Sequence, residues 1–549
     1  MRLVKRLFFV VLTSSLLAAQ SSPPADSDSS KIQKLLDAVA AQQKAIAEQQ
    51  QQITQQQQEI EKLKQQLTPQ PEAASNEAQL GRAVNASLTI ANPKPAARNV
   101  SDVAEQDQPK ESPLSFKIGG AEFTPGGFMD FTAIFRSTNT GNPGGTGFAA
   151  IPFSNTIGGH LTETRFTAQN SRVSLKATDK FGANDVTGYV EMDFLGNDAG
   201  NVFVTSNSHT VRQRLYFVDV KRNKWEILAG QSWSWLTPNR SGLSPYPSDV
   251  FYSQDMDFNY QAGLTWTRAP QFRVAYHAND QWALGVALEN PQQYIGAAGV
   301  TFPTAFNAQL GGQFDANSAG STGNAVPNLH PDIIPKIAYD TNMGGRHFHV
   351  EAAGLLTGIK ITNLSGGTFV KHTKEAGGLE GAINLEVVKN VRIVANGFWS
   401  DGGGRYVFGM GPDSVVLPNA AGTDLALSLI HSYSGIFGFE AQVTPHTMLY
   451  GYYGGAYFQR SFAIDTTSTA VVKPFVGFGG PNSANSANRA IQEPTFGWIQ
   501  TFWKNPQYGA LQLITQASYL TRAPWFVAAG APKNAHLAMG WVDLRYVLP

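Results

Sequence analysis

The feature that most constrains this chain is a repeated pattern of short segments in which apolar and polar residues alternate. The pattern is clear in residues 126–136, 185–194 and 541–549. In the first of these segments Met129 and Phe131 share one face, and polar residues occupy the other. Side chains of a β-strand point alternately to opposite faces, so each segment predicts a strand with one apolar face. A soluble sandwich alternates in the same way, so the pattern alone leaves both folds open.

The connections between these segments separate the two folds. Short turns fall at residues 180–184, 221–224, 279–280, 342–346, 389–390, 444–446 and 504–508. Long polar, Gly-rich connections fall at residues 137–163, 196–209, 236–261, 290–331, 362–375, 401–430, 461–489 and 521–534. Short and long connections follow one another in turn, which is typical of the periplasmic turns and external loops of outer-membrane barrels. We therefore predict an all-β transmembrane barrel over residues 116–549.

The connections give about 16 antiparallel strands, an even number as single-chain barrels require. This count treats residues 263–277 as one strand with a bulge near Pro270. A barrel of this size encloses a water-filled channel. The sequence does not say which long connection folds inward to narrow the channel, and residues 236–261 are our candidate by analogy with other barrels of this kind. They carry aromatic residues together with Asp249, Asp255 and Asp257.

The residues before the barrel predict three further parts. Residues 1–21 resemble a signal peptide, because a basic start precedes an apolar run too short to span a bilayer. Residues 31–67 have an apolar residue every seven positions, at Ile32, Val39, Ile46, Ile53, Ile60 and Leu67. This strict heptad predicts an N-terminal α-helical coiled coil rather than a disordered Gln-rich tract. We interpret it as a trimerisation segment, partly because most large barrels of the kind predicted downstream are trimers. Residues 68–115, without a sustained period, predict a flexible linker.

Composition excludes several classes of function. Lys+Arg and Asp+Glu both number 41, so the net charge of zero indicates no nucleic-acid partner. The absence of cysteine excludes disulfides and Cys-based metal sites. Neither a Gly-x-Ser-x-Gly elbow nor a phosphate-loop motif occurs, so we expect no enzymatic activity and no cofactor. His347, His349 and Glu351 share one strand face, but lumen-facing polar residues explain them more simply than metal ligands do.

Four consecutive motifs resemble the DcaP-like outer-membrane porins. They are TRFTAQNSRVSLKA at residues 164–177, YVEMDFLG at 189–196, VRQRLYF at 211–217 and LAGQSW at 228–233. The resemblance implies a trimeric 16-strand porin with an N-terminal coiled coil that passes small anionic molecules such as dicarboxylates. Phosphate-selective porins share parts of this pattern and remain the alternative family.

If the apolar strand faces meet lipid, the opposite faces line the channel. The charged residues predicted there as solute-selectivity residues are Arg136, Arg172, Lys176, Glu191, Asp193, Arg212 and Arg214, with Asp130 beside them. Opposed basic and acidic rows would set up a field across the channel, and arginine donates two parallel hydrogen bonds to a carboxylate. The alternative is that these charges pair across neighbouring strands and only stiffen the wall.

Four tryptophans near predicted strand ends, Trp233, Trp235, Trp399 and Trp503, predict aromatic girdles at the membrane interfaces. For Trp233 and Trp235 we favour this role over solute stacking.

The expected function is a porin of the bacterial outer membrane that passes small hydrophilic, anionic solutes. Its expected partners are outer-membrane lipid, those solutes, two further copies in a homotrimer, and periplasmic or peptidoglycan contacts of the coiled coil. The alternative is a structural anchor that tethers the envelope through the coiled coil. A charged inner wall favours the pore, because an anchor can fill its channel with neutral side chains.

Overall fold

The structure is a computed structural model, and it describes residues 112–142, 144–196, 209–247, 250, 254–296, 299–315 and 326–549. The predicted signal peptide, coiled coil and linker, apart from the last residues of the linker, lie outside these residues, as does Asp249. In the part of the chain that is described, no helix is long and apolar enough to cross a membrane.

Sixteen antiparallel strands form one closed barrel, which confirms the count made from the turns. We number them β1 to β16 in chain order. They are Ala121–Arg136, Arg172–Phe181, Asn184–Asp193, Arg212–Arg222, Trp225–Trp233, Arg268–His277, Trp282–Glu289, Asp332–Met343, Arg346–Ser365, Thr368–Val388, Val391–Asp401, His431–Thr444, Thr447–Phe458, Asn488–Asn505, Gly509–Pro524 and Ala535–Val547.

Each strand pairs with its neighbours in the chain, and the last strand closes the barrel on the first. The closing register between β16 and β1 runs from Phe128 opposite Val547 to Arg136 opposite Met539. Closure removes the exposed sheet edges that would otherwise be unsatisfied in lipid, where no water can bind the free backbone groups.

Short elements outside this set extend the barrel or fold within its long connections. Phe116–Ile118 and Glu163–Thr167 both pair with β1. The connections also contain the strands Val300–Thr301, Ser414–Pro418, Leu425–Leu429, Ser461–Ile464 and Phe475–Phe478. Their helices are the single turns Phe148–Ala150, Ile157–His160, Thr304–Phe306, Asn307–Leu310 and Gly404–Tyr406.

The two faces of the wall differ as the alternation predicts. Apolar side chains such as Met129, Phe131 and Leu544 are exposed on the outside, whereas Thr132 and Asp543 are buried inside. A closed barrel with an apolar outer surface is the form in which β-strands cross a membrane. Inside the barrel, aromatic and aliphatic side chains of several long connections pack against the wall.

Aromatic residues form girdles near both rims of the outer surface. At the long-loop end, Trp399, Tyr433 and Tyr457 lie side by side on three neighbouring strands. At the short-turn end, Trp503 packs against Tyr546, with the ring centroids 6.0 Å apart. The outward position predicted for Trp399 and Trp503 is therefore confirmed.

All seven predicted short turns are confirmed as tight hairpins, but one predicted long loop is wrong. Residues 362–375 lie in the long hairpin of β9 and β10, whose two-residue turn is Gly366–Gly367. Both glycines have positive φ, 55° and 81°, which suits the hairpin turn that matches strand twist. Polar residues in the extended strands account for the loop prediction, because strands beyond the bilayer need no apolar face.

The strand predicted over residues 263–277 is also shorter than expected. It begins at Arg268, and its pairing with β5 continues through Pro270 without a register shift, whereas its pairing with β7 begins at Gln271. Residues 263–267 belong instead to the preceding connection, where Trp266 bridges to Val407. The bulge near Pro270 is therefore wrong, although the strand count that depended on this segment is right.

Candidate functional site

The connection between β5 and β6, of which residues 234–247, 250 and 254–267 are described, folds into the barrel, and we call it the inward loop. Leu236, Ala262 and Thr265 are fully buried within it. The backbone N–H of Trp235 donates to Glu289 on β7, and that of Asn239 donates to Glu351 on β9. The prediction that residues 236–261 turn inward is therefore confirmed.

The inward loop also reaches the wall strands far from its own in the sheet. The Arg240 guanidinium makes two parallel hydrogen bonds to Glu440 on β12, at 2.8 and 3.0 Å. The N–H of Ala262 donates to Glu493 on β14 at 2.8 Å, and that of Met256 donates to Gln516 on β15 at 2.7 Å. Contacts with strands on both sides of the barrel hold the inward loop in place. The loop therefore narrows the lumen at a fixed position.

One contact between the inward loop and the wall is made through glycine backbones. Gly263 has φ +93°, and a Cβ there would lie 2.4 Å from the Gly435 carbonyl oxygen and 2.5 Å from the Gly455 nitrogen. Only glycine fits this approach, because it combines a positive φ with no side chain. The three glycines therefore let the loop lie directly against β12 and β13.

Four of the predicted selectivity residues form one ion-pair network on β3 and β4. The Arg212 guanidinium donates to Asp193 at 2.7 and 2.9 Å. The Arg214 guanidinium bridges both carboxylates, donating to Glu191 at 2.5 Å and to Asp193 at 2.7 Å. These acidic and basic side chains lie in direct contact on neighbouring strands, and not as opposed rows across the channel.

A β-bulge aims Arg214 into this network. Glu191 on β3 is opposite Leu215, and the next residue, Met192, is opposite Gln213, so Arg214 is the extra residue of β4. A bulge breaks strict alternation and can turn two successive side chains to the same face. Both Arg214 and Leu215 are accordingly buried.

Tyr260, near the end of the inward loop, joins this network. Its hydroxyl accepts a hydrogen bond from Arg214 at 3.2 Å and one from Arg172 at 3.5 Å. Burial alone raises the pKa of Tyr260, but the positive charges of Arg214, Arg172 and Arg268 together hold that pKa below its ordinary value. Tyr260 also has φ 61°, a backbone conformation that costs a non-glycine residue about 1–3 kcal/mol.

Aromatic rings surround the arginines of the network. Arg214 and Arg268 lie over Trp233, with their guanidinium carbons 5.7 and 5.5 Å from the ring centroid. Trp266 packs edge-on against Tyr260 at 5.1 Å. Trp233 and Trp235 are only 2% exposed inside the barrel, so their predicted position in an outer girdle is wrong. The period-two pattern placed them outward, whereas the chain leaves the wall at this point and enters the lumen.

The other predicted residues lie on the inner side of the wall but outside the network. Arg136 is buried, with Nη1 2.5 Å from Glu163, and it packs over Trp541. Lys176 is exposed, and its Nζ lies 6.0 Å from the Tyr246 ring of the inward loop. Asp130 accepts from Asn170 and pairs with Arg545.

The histidines singled out in the sequence belong to a separate buried network on β8 and β9. The ring nitrogens of His349 lie 2.9 Å from Asp340 and 3.2 Å from Glu351. The Lys336 ammonium lies 2.9 Å from the same Glu351 carboxylate. Among the residues that the structure describes, no three His, Cys, Asp or Glu side chains are grouped as metal ligands.

Sequence reasoning missed Arg268, Tyr260 and Arg240. Arg268 lies opposite Trp233, but this pairing depends on the register of β5 and β6. Tyr260 and Arg240 contact the wall only through the path of the inward loop. A period-two pattern carries no signal for either contact.

The crystal structure of DcaP, an outer-membrane channel of Acinetobacter baumannii, matches with a TM-score of 0.55 and 18% identity, over 79% of this chain and 100% of that chain. The chain has the fold of the DcaP outer-membrane channel. The fold expected from the four sequence motifs is thus confirmed, as is the expected location in the bacterial outer membrane.

Two further structures match at lower similarity. The anion-selective porin of Comamonas acidovorans has a TM-score of 0.43 and 11% identity, over 78% of this chain and 100% of that chain. OmpT, an outer-membrane protein of Vibrio cholerae, has a TM-score of 0.41 and 11% identity, over 79% of this chain and 99% of that chain. No family model and no curated protein sequence matches this chain.

Proposed function

We propose that this chain is an outer-membrane porin that passes small hydrophilic anions, carboxylates above all, through a lumen narrowed by the inward loop. The DcaP channel fold supports the porin role. The observation that carries the anion preference is an excess of arginine where the inward loop meets the wall. We call this site the arginine cluster: Arg172, Arg212, Arg214 and Arg268 with Glu191 and Asp193.

The arginine cluster holds four guanidinium groups against two carboxylates, an excess of two positive charges. Arg212 and Arg214 pair with the two acids, and Arg172 and Arg268 contribute the other two positive charges of the cluster. These two side chains are partly exposed as a whole, but the Nη1 atom of Arg268 is itself buried and has no hydrogen-bond partner among the described residues. A positive charge in a confined channel raises the local concentration of anions and repels cations.

Carboxylates match the chemistry of this site. The planar guanidinium donates two parallel N–H bonds that match the two oxygens of a carboxylate. The aromatic ring of Trp233, which packs under Arg268, keeps that fork in place. A carboxylate passing the inward loop can therefore exchange its hydration water for arginine contacts.

Three copies of the chain are proposed to assemble as a homotrimer, with the predicted coiled coil as the trimerisation segment and the apolar outer surface in lipid. The structural-anchor alternative needs no open channel. A purified barrel that passes no current in a planar bilayer would favour the anchor.

The test is reversal potential and single-channel conductance in planar bilayers, for the parent chain and for Arg172→Gln/Arg268→Gln. This variant removes the excess charge without leaving Glu191 or Asp193 unpaired, so the ion-pair network is preserved. We expect the anion-to-cation permeability ratio to fall roughly two-fold or more, because a unit charge at about 4 Å contributes on the order of 1–4 kcal/mol.

The matched control is Arg222→Gln/Lys389→Gln, which removes two exposed positive charges at the short periplasmic turns. It should leave the permeability ratio close to that of the parent. Equal ratios in all three proteins would refute selection by the arginine cluster while leaving the pore itself intact.

A further inference from the structure

Two exposed arginines lie close together at the long-loop rim, and no acidic residue in the described part of the chain pairs with either. Arg460 follows β13 and Arg489 lies at the start of β14. Within the described residues, neither guanidinium has an ion-pair or hydrogen-bond partner. This differs from the arginines of the lumen, such as Arg214 and Arg240, which bind buried carboxylates.

Both arginines are held against one indole ring. The guanidinium carbons of Arg460 and Arg489 lie 5.1 and 5.9 Å from the centroid of Trp525, the residue after β15. The Trp525 Nε1–H donates to the Phe458 carbonyl at 2.9 Å, which fixes the ring across the ends of these strands. Stacking on an indole leaves the edge of a guanidinium, with its N–H groups, available to an anion.

This arginine pair lies directly beyond the aromatic girdle at the same rim. Tyr457 on β13 is 37% exposed to the outside and lies opposite Ala490, the residue after Arg489. Tyr457 also packs edge-on against Trp525, with the centroids 5.9 Å apart. Aromatic girdles mark the depth of the lipid headgroups, so the arginine pair is at the level of the outer-leaflet headgroups.

We propose that Arg460, Arg489 and Trp525 form a binding site for the phosphate group of an outer-leaflet glycolipid of the lipid A type. Two guanidinium groups provide charge-assisted hydrogen bonds to phosphate oxygens, and the neighbouring girdle packs against the acyl chains. An inorganic phosphate ion can accept the same hydrogen bonds as the lipid headgroup, but it has no acyl chains to pack against the aromatic girdle. The site faces the membrane and is separate from the arginine cluster of the lumen.

The test is binding of lipid A to the full chain in detergent, measured by native mass spectrometry and by titration. The probes are lipid A with both phosphates, the same lipid after dephosphorylation, and inorganic phosphate. The variant is Arg460→Ala/Arg489→Ala, and the matched control is Arg222→Ala/Arg346→Ala at the opposite rim. Single-channel conductance and thermal unfolding show that each barrel is intact.

We expect the variant to bind phosphorylated lipid A about tenfold or more weakly, because charge-assisted hydrogen bonds to phosphate are lost. The control and the parent should bind alike, and dephosphorylated lipid should bind the parent as weakly as it binds the variant. Conductance should not change, since the arginine pair lies outside the channel. Binding of lipid A that is unaltered in the variant would overturn the proposal. So would inorganic phosphate that competes at the affinity of the lipid.

Discussion

The Tyr260 hydroxyl accepts a hydrogen bond from the Arg214 guanidinium at 3.2 Å, and this contact joins the inward loop to the bulged strand of the wall. The same guanidinium holds Glu191 and Asp193. The loop that narrows the channel and the charges proposed to select its solutes are therefore one structural unit. Changes to the loop should alter selectivity and conductance together.

Tyr260→Phe removes this contact and leaves the ring in place. We expect the free energy of unfolding to fall by about 1.5–3 kcal/mol, because a hydrogen bond to a charged group is lost. Current noise should increase as the loop becomes mobile. The measurements are thermal unfolding and single-channel recording. Tyr216→Phe, which removes a hydroxyl from the exposed outer face, is the control and should behave as the parent does.

Arg240→Ala should destabilise the inward loop more than the loss of Tyr260 does. The substitution leaves Glu440 buried without its bidentate partner, which typically costs about 3–5 kcal/mol. Glu440 still accepts from the Tyr452 hydroxyl at 2.8 Å and still lies opposite Arg392 on β11, but it loses both parallel bonds from Arg240. Denaturant unfolding checks this. Arg240→Ala/Glu440→Ala should recover part of the loss, and a double variant as unstable as the sum of the single ones would contradict the pairing.

Gly263→Ala should displace the inward loop from the wall. The added methyl would meet backbone atoms of Gly435 and Gly455, and the φ of +93° is unfavourable for alanine. We expect a loss of about 1–3 kcal/mol in the free energy of unfolding, together with a changed conductance. Gly312→Ala is the control, because no atom lies within 4 Å of its Cβ position. A parent-like conductance for Gly263→Ala would show that the loop tolerates displacement.

Asp255 in the inward loop should make stability depend on pH. Burial, and then the charge of Asp257, raises its pKa to about 8. The Gln516 amide donates to its Oδ1, and Glu493 faces it from β14. An unfolded carboxyl releases its proton near pH 4, whereas folded Asp255 keeps it to about pH 8. The free energy of unfolding should therefore fall with rising pH across this window, by at most about 1.4 kcal/mol per pH unit.

Asp255→Asn should reduce that slope, because the amide is neutral throughout the window. The measurement is urea unfolding in detergent at pH 5 and at pH 8. Asp280→Asn, at an exposed periplasmic turn, is the control and should keep the slope of the parent. An unchanged slope in Asp255→Asn would mean that other groups produce the pH dependence.

The sequence by itself determined the barrel. A membrane requires an apolar outer face, and the alternation of apolar and polar residues within each strand provides it. This alternation places Met129 and Phe131 outside and Thr132 inside, and it can be recognised from the residues of one strand alone. Short turns are equally local, since a few polar or glycine residues fix each hairpin. The inward loop is chosen among several long connections only by analogy with other porins, because the sequence alone does not say which of them turns inward.

Only the tertiary structure decided what the inward loop touches. The contacts of Tyr260 with Arg214 and of Arg240 with Glu440 join residues 46 and 200 positions apart. Neither a period nor a spacing encodes such a pair, because it depends on the path of the loop through the barrel. The bulge at Arg214 and the burial of Trp233 and Trp235 have the same origin. The alternating pattern predicts which side of the wall a residue faces only where the chain forms a regular strand. Arg214, Trp233 and Trp235 lie where the regular strand pairing is interrupted or ends.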